Sequence, residues 1–313
     1  MLALLGRRVL SGIVLVFVIS AVTFFLIHLA GGDIARTIVG DTATEEQVAR
    51  KAAELGLDQP IPAQYVTWLT DAVRGDFGTS WFTNQGITAS IVAKLPVTVS
   101  VAICGTVVSA VIGFGLGTLA AVRRGIVDRF LQVLVVVGFA LPNFWLGLVL
   151  VATLAVALPL LPATGFVPIT QSPTGWLASI TLPVTALAIG VTAATAQQTR
   201  SALIDVMRQD YIRSLRGRGL SARSVVFKHG LRNAAPAALT VLSLQFINLL
   251  GGAVIIERVF ALPGLGSMAL DATTQGDVPS IMAIVVFMVL IVVGVNLLLD
   301  VAYGWLNPKV RVS

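Results

Sequence analysis

Seventy consecutive residues, Phe130 to Thr199, carry no charged side chain. Soluble domains hold roughly 25% charged residues; this chain holds 12%, with a mean hydropathy of +0.92. Four further runs are equally bare: Val9–Ala30, Leu95–Val122, Asn233–Ile256 and Val278–Leu299. Each reaches the ~20 residues that a helix needs to cross ~30 Å of hydrocarbon. The longest run contains PLLPATGFVPITQSPTG, residues 159–175, whose Pro, Gly, Ser and Thr read as an exposed loop joining two crossings. The expectation is an all-α membrane protein with six transmembrane helices, near 9–30, 96–121, 130–157, 178–199, 234–256 and 280–304. Helices suit that role because they satisfy their own backbone in lipid.

Lysine and arginine in short flanking loops orient such a chain, because they mark the cytosolic side. Arg7, Arg8, Arg123, Arg124, Arg129, the eight basic residues from Arg200 to Arg232, Lys309 and Arg311 fall on one side, fifteen of twenty-one. The other side holds Arg36, Arg50, Lys51, Arg74, Lys94 and Arg258 beside eleven of the fifteen acids. Both termini are therefore expected in the cytosol, and the pI near 10.1 reports this asymmetry rather than a nucleic-acid partner. The first span is expected to stay attached: its apolar core outruns the ~7–15 residues of a signal peptide, and no small-x-small site precedes Gly31. The lone Cys104 falls inside the second span, where packing is its expected role.

Residues 1–30 then form an anchor and first span, 31–94 an external helical subdomain, and 95–313 a five-helix core with a cytosolic loop over 200–233. In the subdomain, Thr44 stands three residues before Gln47, the spacing of a capping box. Val48, Ala52 and Leu55 follow at helical intervals, and Pro60 and Pro62 open a second helix carrying Tyr65, Trp68, Leu69 and Val73. A further external segment, Glu257–Pro279, has Leu262-Pro263-Gly264-Leu265-Gly266 as a turn with apolar flanks, expected to dip toward the membrane surface.

Chemistry is scarce. None of the four lysines follows a glycine, so the G-x-x-x-x-G-K-[ST] loop of a nucleotide hydrolase is missing. His28 and His229 lie outside the apolar runs' centres and no G-x-S-x-G occurs, so a nucleophile and base cannot be assembled. A proton-driven carrier keeps titratable groups at membrane depth, whereas here Asp300 is the nearest exception. Neutral polar residues remain: Thr98, Ser100, Asn143, Thr192, Thr195, Gln197, Gln198, Gln245, Asn248 and Asn296. Most such groups bond a neighbouring helix; the rest would line a hydrophilic path, for which Asn143, Thr192, Gln197, Gln245 and Asn248 are the candidates. Gly113, Gly115 and Gly117 include a small-xxx-small spacing for close helix approach, and Pro142 kinks the third span.

The cationic stretch RSLRGRGLSARSVVFKHGLRNAAP, residues 213–236, is the exception to this blandness. Leu203, Val206, Met207 and Tyr211 keep helical spacing, so the fourth span is expected to continue into water until Gly217 and Gly219 stop it. Ser221 then caps a short lateral helix on which Val226, Phe227 and Leu231 are exposed among Arg223, Lys228 and Arg232. Topology alone requires no glycine break and no apolar stripe, so the segment reads as a docking element.

Here the sequence resembles the cytosolic signature of the membrane subunits of ATP-binding-cassette importers. Against that general consensus only Gly219 and Leu231 match. The likeness is far closer to the dipeptide/oligopeptide/nickel branch of bacterial permeases. It is carried by Asp210-Tyr211-Ile212-Arg213-Ser214-Leu215, Arg218-Gly219-Leu220-Ser221 and His229-Gly230-Leu231-Arg232-Asn233. Further pieces are Glu54-Leu55-Gly56-Leu57-Asp58, Gly75-Asp76-Phe77-Gly78, Leu95-Pro96 with Thr98, Gly251-Gly252-Ala253, Glu257, Pro263-Gly264-Leu265-Gly266, and Asp277 with Pro279. Gly276 and Leu215 depart from the branch pattern.

The resemblance implies a non-enzymatic pore-forming subunit in a bacterial inner membrane, paired with a second, related permease. It binds no cofactor itself; ATP and magnesium belong to two cytosolic ATPases, and an extracytoplasmic binding protein delivers the solute. Arg213, Ser214, Gly219, Leu220, Ser221, Phe227, His229, Leu231 and Arg232 are expected to couple to an ATPase. Glu257, Pro263, Gly264 and Asp277 are expected to meet the binding protein. A self-sufficient carrier or channel is the alternative, separable by uptake without ATP.

Overall fold

A computed structural model describes residues 2–29, 34–123 and 125–306, with side chains over 6–29, 34–123 and 125–301. Gly31, Arg124, Lys309 and Arg311, used above for a boundary and for the charge count, lie outside the described residues. Twelve helices are described: α1 (Leu2–Leu29), α2 (Ile34–Val39), α3 (Glu45–Glu54), α4 (Ile61–Val73), α5 (Ile87–Val122) and α6 (Ile126–Ala140). They continue with α7 (Asn143–Ala157), α8 (Pro173–Met207), α9 (Asp210–Gly217), α10 (Ala222–Val259), α11 (Leu265–Gln275) and α12 (Val278–Leu306). Five of these, α1, α5, α8, α10 and α12, are long and apolar enough to cross a membrane, and α6 with α7 make a sixth crossing if the bent pair is one span.

Pro142 does more than kink that sixth crossing. The chain turns by 98° between α6 and α7, because Leu141 is extended and Pro142 stands as the cap before Asn143. Proline has no N–H to continue α6 and pushes its predecessor out of helical geometry. The long helices also outrun the sequence limits. At 36 residues α5 is about 54 Å long, well beyond the hydrocarbon, and its first turns occupy the end of the expected subdomain.

The chain divides into two compact units: Val97–Pro263 with the chain from Gly294, and Leu2–Pro96 with Gly264–Val293. In the first, small residues set the helix spacing. A Cβ on Gly117 would lie 2.4 Å from the Ala196 carbonyl oxygen, and one on Gly113 would lie 2.7 Å from Thr195 Cβ. Gly138 faces Ala193, Gly105 faces Leu249, and Gly147 faces Phe260 and Ile256. Such close backbone approach is how helices associate where lipid tails are as apolar as leucine. The small-xxx-small pair thus seats α5 on α8, while Gly115 opens onto empty space.

The second unit is built on aromatics. Phe24, Tyr65, Val278 and Met282 form one core, and Phe77, Ile87, Ile91, Leu265 and Ile284 another. Tyr65 packs on Phe17, Phe24, Phe25 and Trp68, and its hydroxyl lies 3.0 Å from Ser20 Oγ. The expected capping box is present: Thr44 Oγ1 accepts from Gln47 N–H and Gln47 Oε1 accepts from Thr44 N–H. Helix α11 was not legible beforehand. Leu262 and Leu265 are buried in the protein, so this turn's apolar flanks do not face the membrane surface.

Candidate functional site

The fourth span does not run to Gly217. Helix α8 ends at Met207, Gln209 is extended, and α9 starts afresh at Asp210. Asp210 in its first turn and Arg216 in its last complement the helix dipole. Gly219 has φ +81°, a left-handed conformation that a side chain would strain, and it turns the chain toward Ser221. Ser221 Oγ accepts from Ser224 N–H at 3.3 Å, capping α10 as expected. From there one helix runs through the elbow into the fifth span, widening to π geometry over Val225–Gly230.

The elbow is anchored from beneath. Leu203, Val226 and Ala234 form a buried cluster joined by Ala121, Val206 and Met207. Ile212 and Val225 are fully buried, and a Cβ on Gly230 would meet Leu203 and Met207 at 3.0 Å. Val226, expected at the surface, therefore points inward. Tyr211 ties α9 to the start of α10: burial pushes its phenol above the ordinary value, and the Asn233 side chain hydrogen-bonded to it pulls the other way. What remains outside is Arg213, Ser214, Gly219, Ser221, Arg232 and, at 59% exposure, Phe227. Leu220, His229 and Leu231 are half-buried. The result is an anchored platform with a basic rim and two exposed rings, of which Phe227 at 59% is more open than Tyr211 at 41%.

A charge pair missed by residue-level reasoning closes the long neutral run. Arg200 Nε and Nη2 donate to the two carboxylate oxygens of Asp128, both at 2.6 Å. Asp128 stands two residues before Phe130 on α6 and Arg200 directly follows Thr199 on α8, so the pair holds both ends of the run at one level. The bracketing was readable; the partnership was not, because many charges flank spans.

The candidate path residues do not converge. Thr192 and Gln197 line a groove of about 430 Å³ between α5, α6 and α8, whose walls are otherwise mostly apolar. Asn143 is wedged between α8 and α10, with its amide nitrogen 3.2 Å from where a Gly252 Cβ would be and its oxygen 3.8 Å from the same point on Gly190. Gln245 and Asn248 sit one turn apart on α10, 3.4 Å between amide groups, on a face that also exposes Thr240, Leu244 and Gly251.

Of the residues expected to meet a binding protein, Pro263 is exposed and Gly264 is buried. Glu257 is fully buried and accepts from Thr98 Oγ1 at 2.6 Å. Asp277 is buried and accepts from Ser80 Oγ at 2.6 Å and Trp81 N–H at 3.1 Å. Both carboxylates are thus internal fasteners, corrected from surface contacts, because each is enclosed by its own unit's donors. Gly276, the departure beside Asp277, has φ +73° and ends α11 in the left-handed conformation.

Residues 113–312 match the family described as binding-protein-dependent transport system inner membrane component, and residues 1–102 match the N-terminal part described for such membrane components. A Brucella abortus (strain 2308) protein named as a peptide transport system permease is 38% identical over 312 residues, 99% of each chain. The glutathione transport system permease GsiC of Escherichia coli (strain K12) is 35% identical over 306 residues, 97% of each chain. A solved inward-facing MetNI methionine ABC transporter shares the fold, with a TM-score of 0.56 at 18% identity, covering 70% of this chain and 96% of that one. The chain belongs to the inner-membrane permease subunits of ATP-binding-cassette importers, which are transport components rather than enzymes.

Proposed function

We propose that the chain is one of two permease subunits of an importer for peptides or related small solutes such as glutathione, with both termini in the cytosol. The named relatives support the solute class, and the five uncharged apolar runs support a path that leaves most recognition of charge to an extracytoplasmic binding protein. The arginine-rich elbow faces two ATPases in the cytosol, which hold the ATP and magnesium. Arg200 and Asp128 support this topology, since one short ion pair fixes the two ends of the neutral run on the same side.

The observation that carries the coupling role is the exposed Phe227 ring on an elbow that buries Ile212, Val225 and Val226 and half-buries Leu220 and Leu231. Phe227, Leu220 and Leu231 seat against an ATPase. Arg213, Ser214, Gly219, Ser221, His229 and Arg232 frame that contact. An anchored elbow transmits a push that a loose loop would absorb. Solute moves along the α10 face holding Gln245 and Asn248, while Thr192 and Gln197 belong to the separate groove between α5, α6 and α8. The binding protein docks on residues 31–94 and on the exposed part of Glu257–Pro279, chiefly around Pro263; Glu257, Gly264 and Asp277 hold that surface in shape from within.

Phe227→Glu in the reconstituted complex tests this reading. Solute-stimulated ATP turnover is expected to fall to the unstimulated level while membrane insertion is unchanged. Stimulation equal to that of the unaltered protein would overturn the assignment.

A further inference from the structure

Beside the elbow, the last turns of α5 and the start of α10 leave a groove of about 540 Å³. Phe114, Leu119, Val122 and Phe227 give it apolar walls, and Arg123 and Arg223 stand among its lining residues. Both arginines are exposed, and neither belongs to an ion pair among the described residues. Nearby Arg200, by contrast, is neutralised by Asp128. Thr118 also lines the groove, and its hydroxyl is buried without a hydrogen-bond partner. Thr106, Thr195 and Thr199 each donate to the carbonyl four residues back, so Thr118 departs from the habit of this helix bundle.

These features select a ligand. A soluble anion would use the two guanidinium groups and leave the apolar walls wet. A neutral apolar molecule would leave two cations unused. Arg123 follows directly on the apolar run of α5, which places it where hydrocarbon gives way to headgroups, and basic pockets between spans at that level bind anionic headgroups. We propose that the groove holds one anionic phospholipid, its phosphate between Arg123 and Arg223 and an acyl chain along Phe114, Leu119 and Phe227. Because Phe227 forms one wall, an occupied groove braces the elbow from its membrane side. The proposal stands on the groove alone and does not depend on the import reading.

The test is native mass spectrometry of the full chain, titrated with phosphatidylglycerol or with phosphatidylcholine. One phosphatidylglycerol is expected to bind in preference to phosphatidylcholine. Arg123→Gln with Arg223→Gln is expected to weaken it about thirtyfold, roughly fivefold per arginine. Gly115→Leu keeps both arginines but fills the groove, since nothing lies within 4 Å of a Cβ there and leucine favours helix over glycine; it is expected to abolish retention. Leu119→Trp repeats that occlusion should the leucine variant not fold. Arg213→Gln with Arg216→Gln removes the same charge outside the groove and is expected to change retention less than about twofold, since charges out of contact with the phosphate are screened by solvent and salt. Equal loss in that control would reduce the effect to general surface attraction and overturn the site. So would undiminished lipid in both occluded variants, or full displacement of the lipid by inorganic phosphate. Loss of a co-purifying ATPase from the arginine variants, with lipid unchanged, would assign the groove to a protein contact instead.

Discussion

Helices α1 and α8 are both long and apolar enough to cross a membrane, yet they use their residues in opposite ways. In α8, 61% of the most apolar stretch is buried within the chain; in α1 the share is 17%, although α1 is the more apolar. Helix α8 is dotted with Thr, Ala and Gly and touches α5, α6, α7 and α10. Among the described side chains of α1 only Gly12, Ser20 and Phe24 are buried, with Val16 half-buried, a stripe at intervals of four. Apolarity in lipid therefore measures solubility in lipid, and small or weakly polar residues measure packing. That inverts the rule for water, where the greasiest helix is the most deeply buried.

The comparison breaks first at Gly117. Leucine there would drive a side chain into the Ala196 carbonyl and Thr199, and backbone cannot move aside as a flexible side chain can. Gly117→Leu is expected to cost more than about 3 kcal/mol, the upper end of overpacking, and to remove the folded permease from size-exclusion profiles in detergent. Gly115→Leu, two residues along the same helix, should leave the profile intact. Equal behaviour of the two would mean that α5 is not seated on α8 through this face.

Next comes the pair at the ends of the neutral run. Asp128 and Arg200 have side chains only 18% and 23% exposed. Asp128→Asn strands a partly buried guanidinium, and about 2 kcal/mol of stability should be lost, less than the ~3–5 of a fully buried pair. Thermal unfolding in detergent measures it. Asp128→Arg with Arg200→Asp should recover part of the loss; no recovery would show that the pair is not the cause.

The spans were legible because charge is forbidden in hydrocarbon, and its gaps therefore count crossings. The capping box of α3 and the Ser221 cap of α10 were legible because they are local. The break between α8 and α9 was not: Leu203, Val206, Met207 and Tyr211 keep helical phase straight across it, and only tertiary packing of Ile212 and Leu203 sets the bend. Helix α11 mixes apolar and polar residues without a dominant stripe, and its buried members Leu265 and Ala272 belong to a core assembled from distant segments. Glu257 and Asp277 look like surface acids in sequence, because their partners Thr98 and Ser80 are 159 and 197 residues away. The candidate site was thus readable as an address, while the inward or outward sense of its side chains was not.

A smaller effect is expected in the subdomain. Thr44→Ala removes an exposed N-cap and should cost about 1 kcal/mol, seen as faster amide exchange confined to α3. Protection lost in α8 as well would mean that the two units unfold as one.

The smallest effect sharpens the contrast most. Leu10, Val14 and Val18 on α1 are 63%, 54% and 48% exposed, and a triple change to alanine removes apolar surface from water-free surroundings that lipid tails refill. No cavity arises, so the transfer penalty that accompanies core truncation in water has no counterpart. For the isolated chain the unfolding temperature should stay within the scatter of surface substitutions, about 0.5 kcal/mol. In the assembled importer two outcomes divide. An unchanged value means that α1 meets lipid there too. A fall of several degrees appearing only in the assembly means that another subunit covers this face, and that α1 is an unfinished packing surface which a second chain completes.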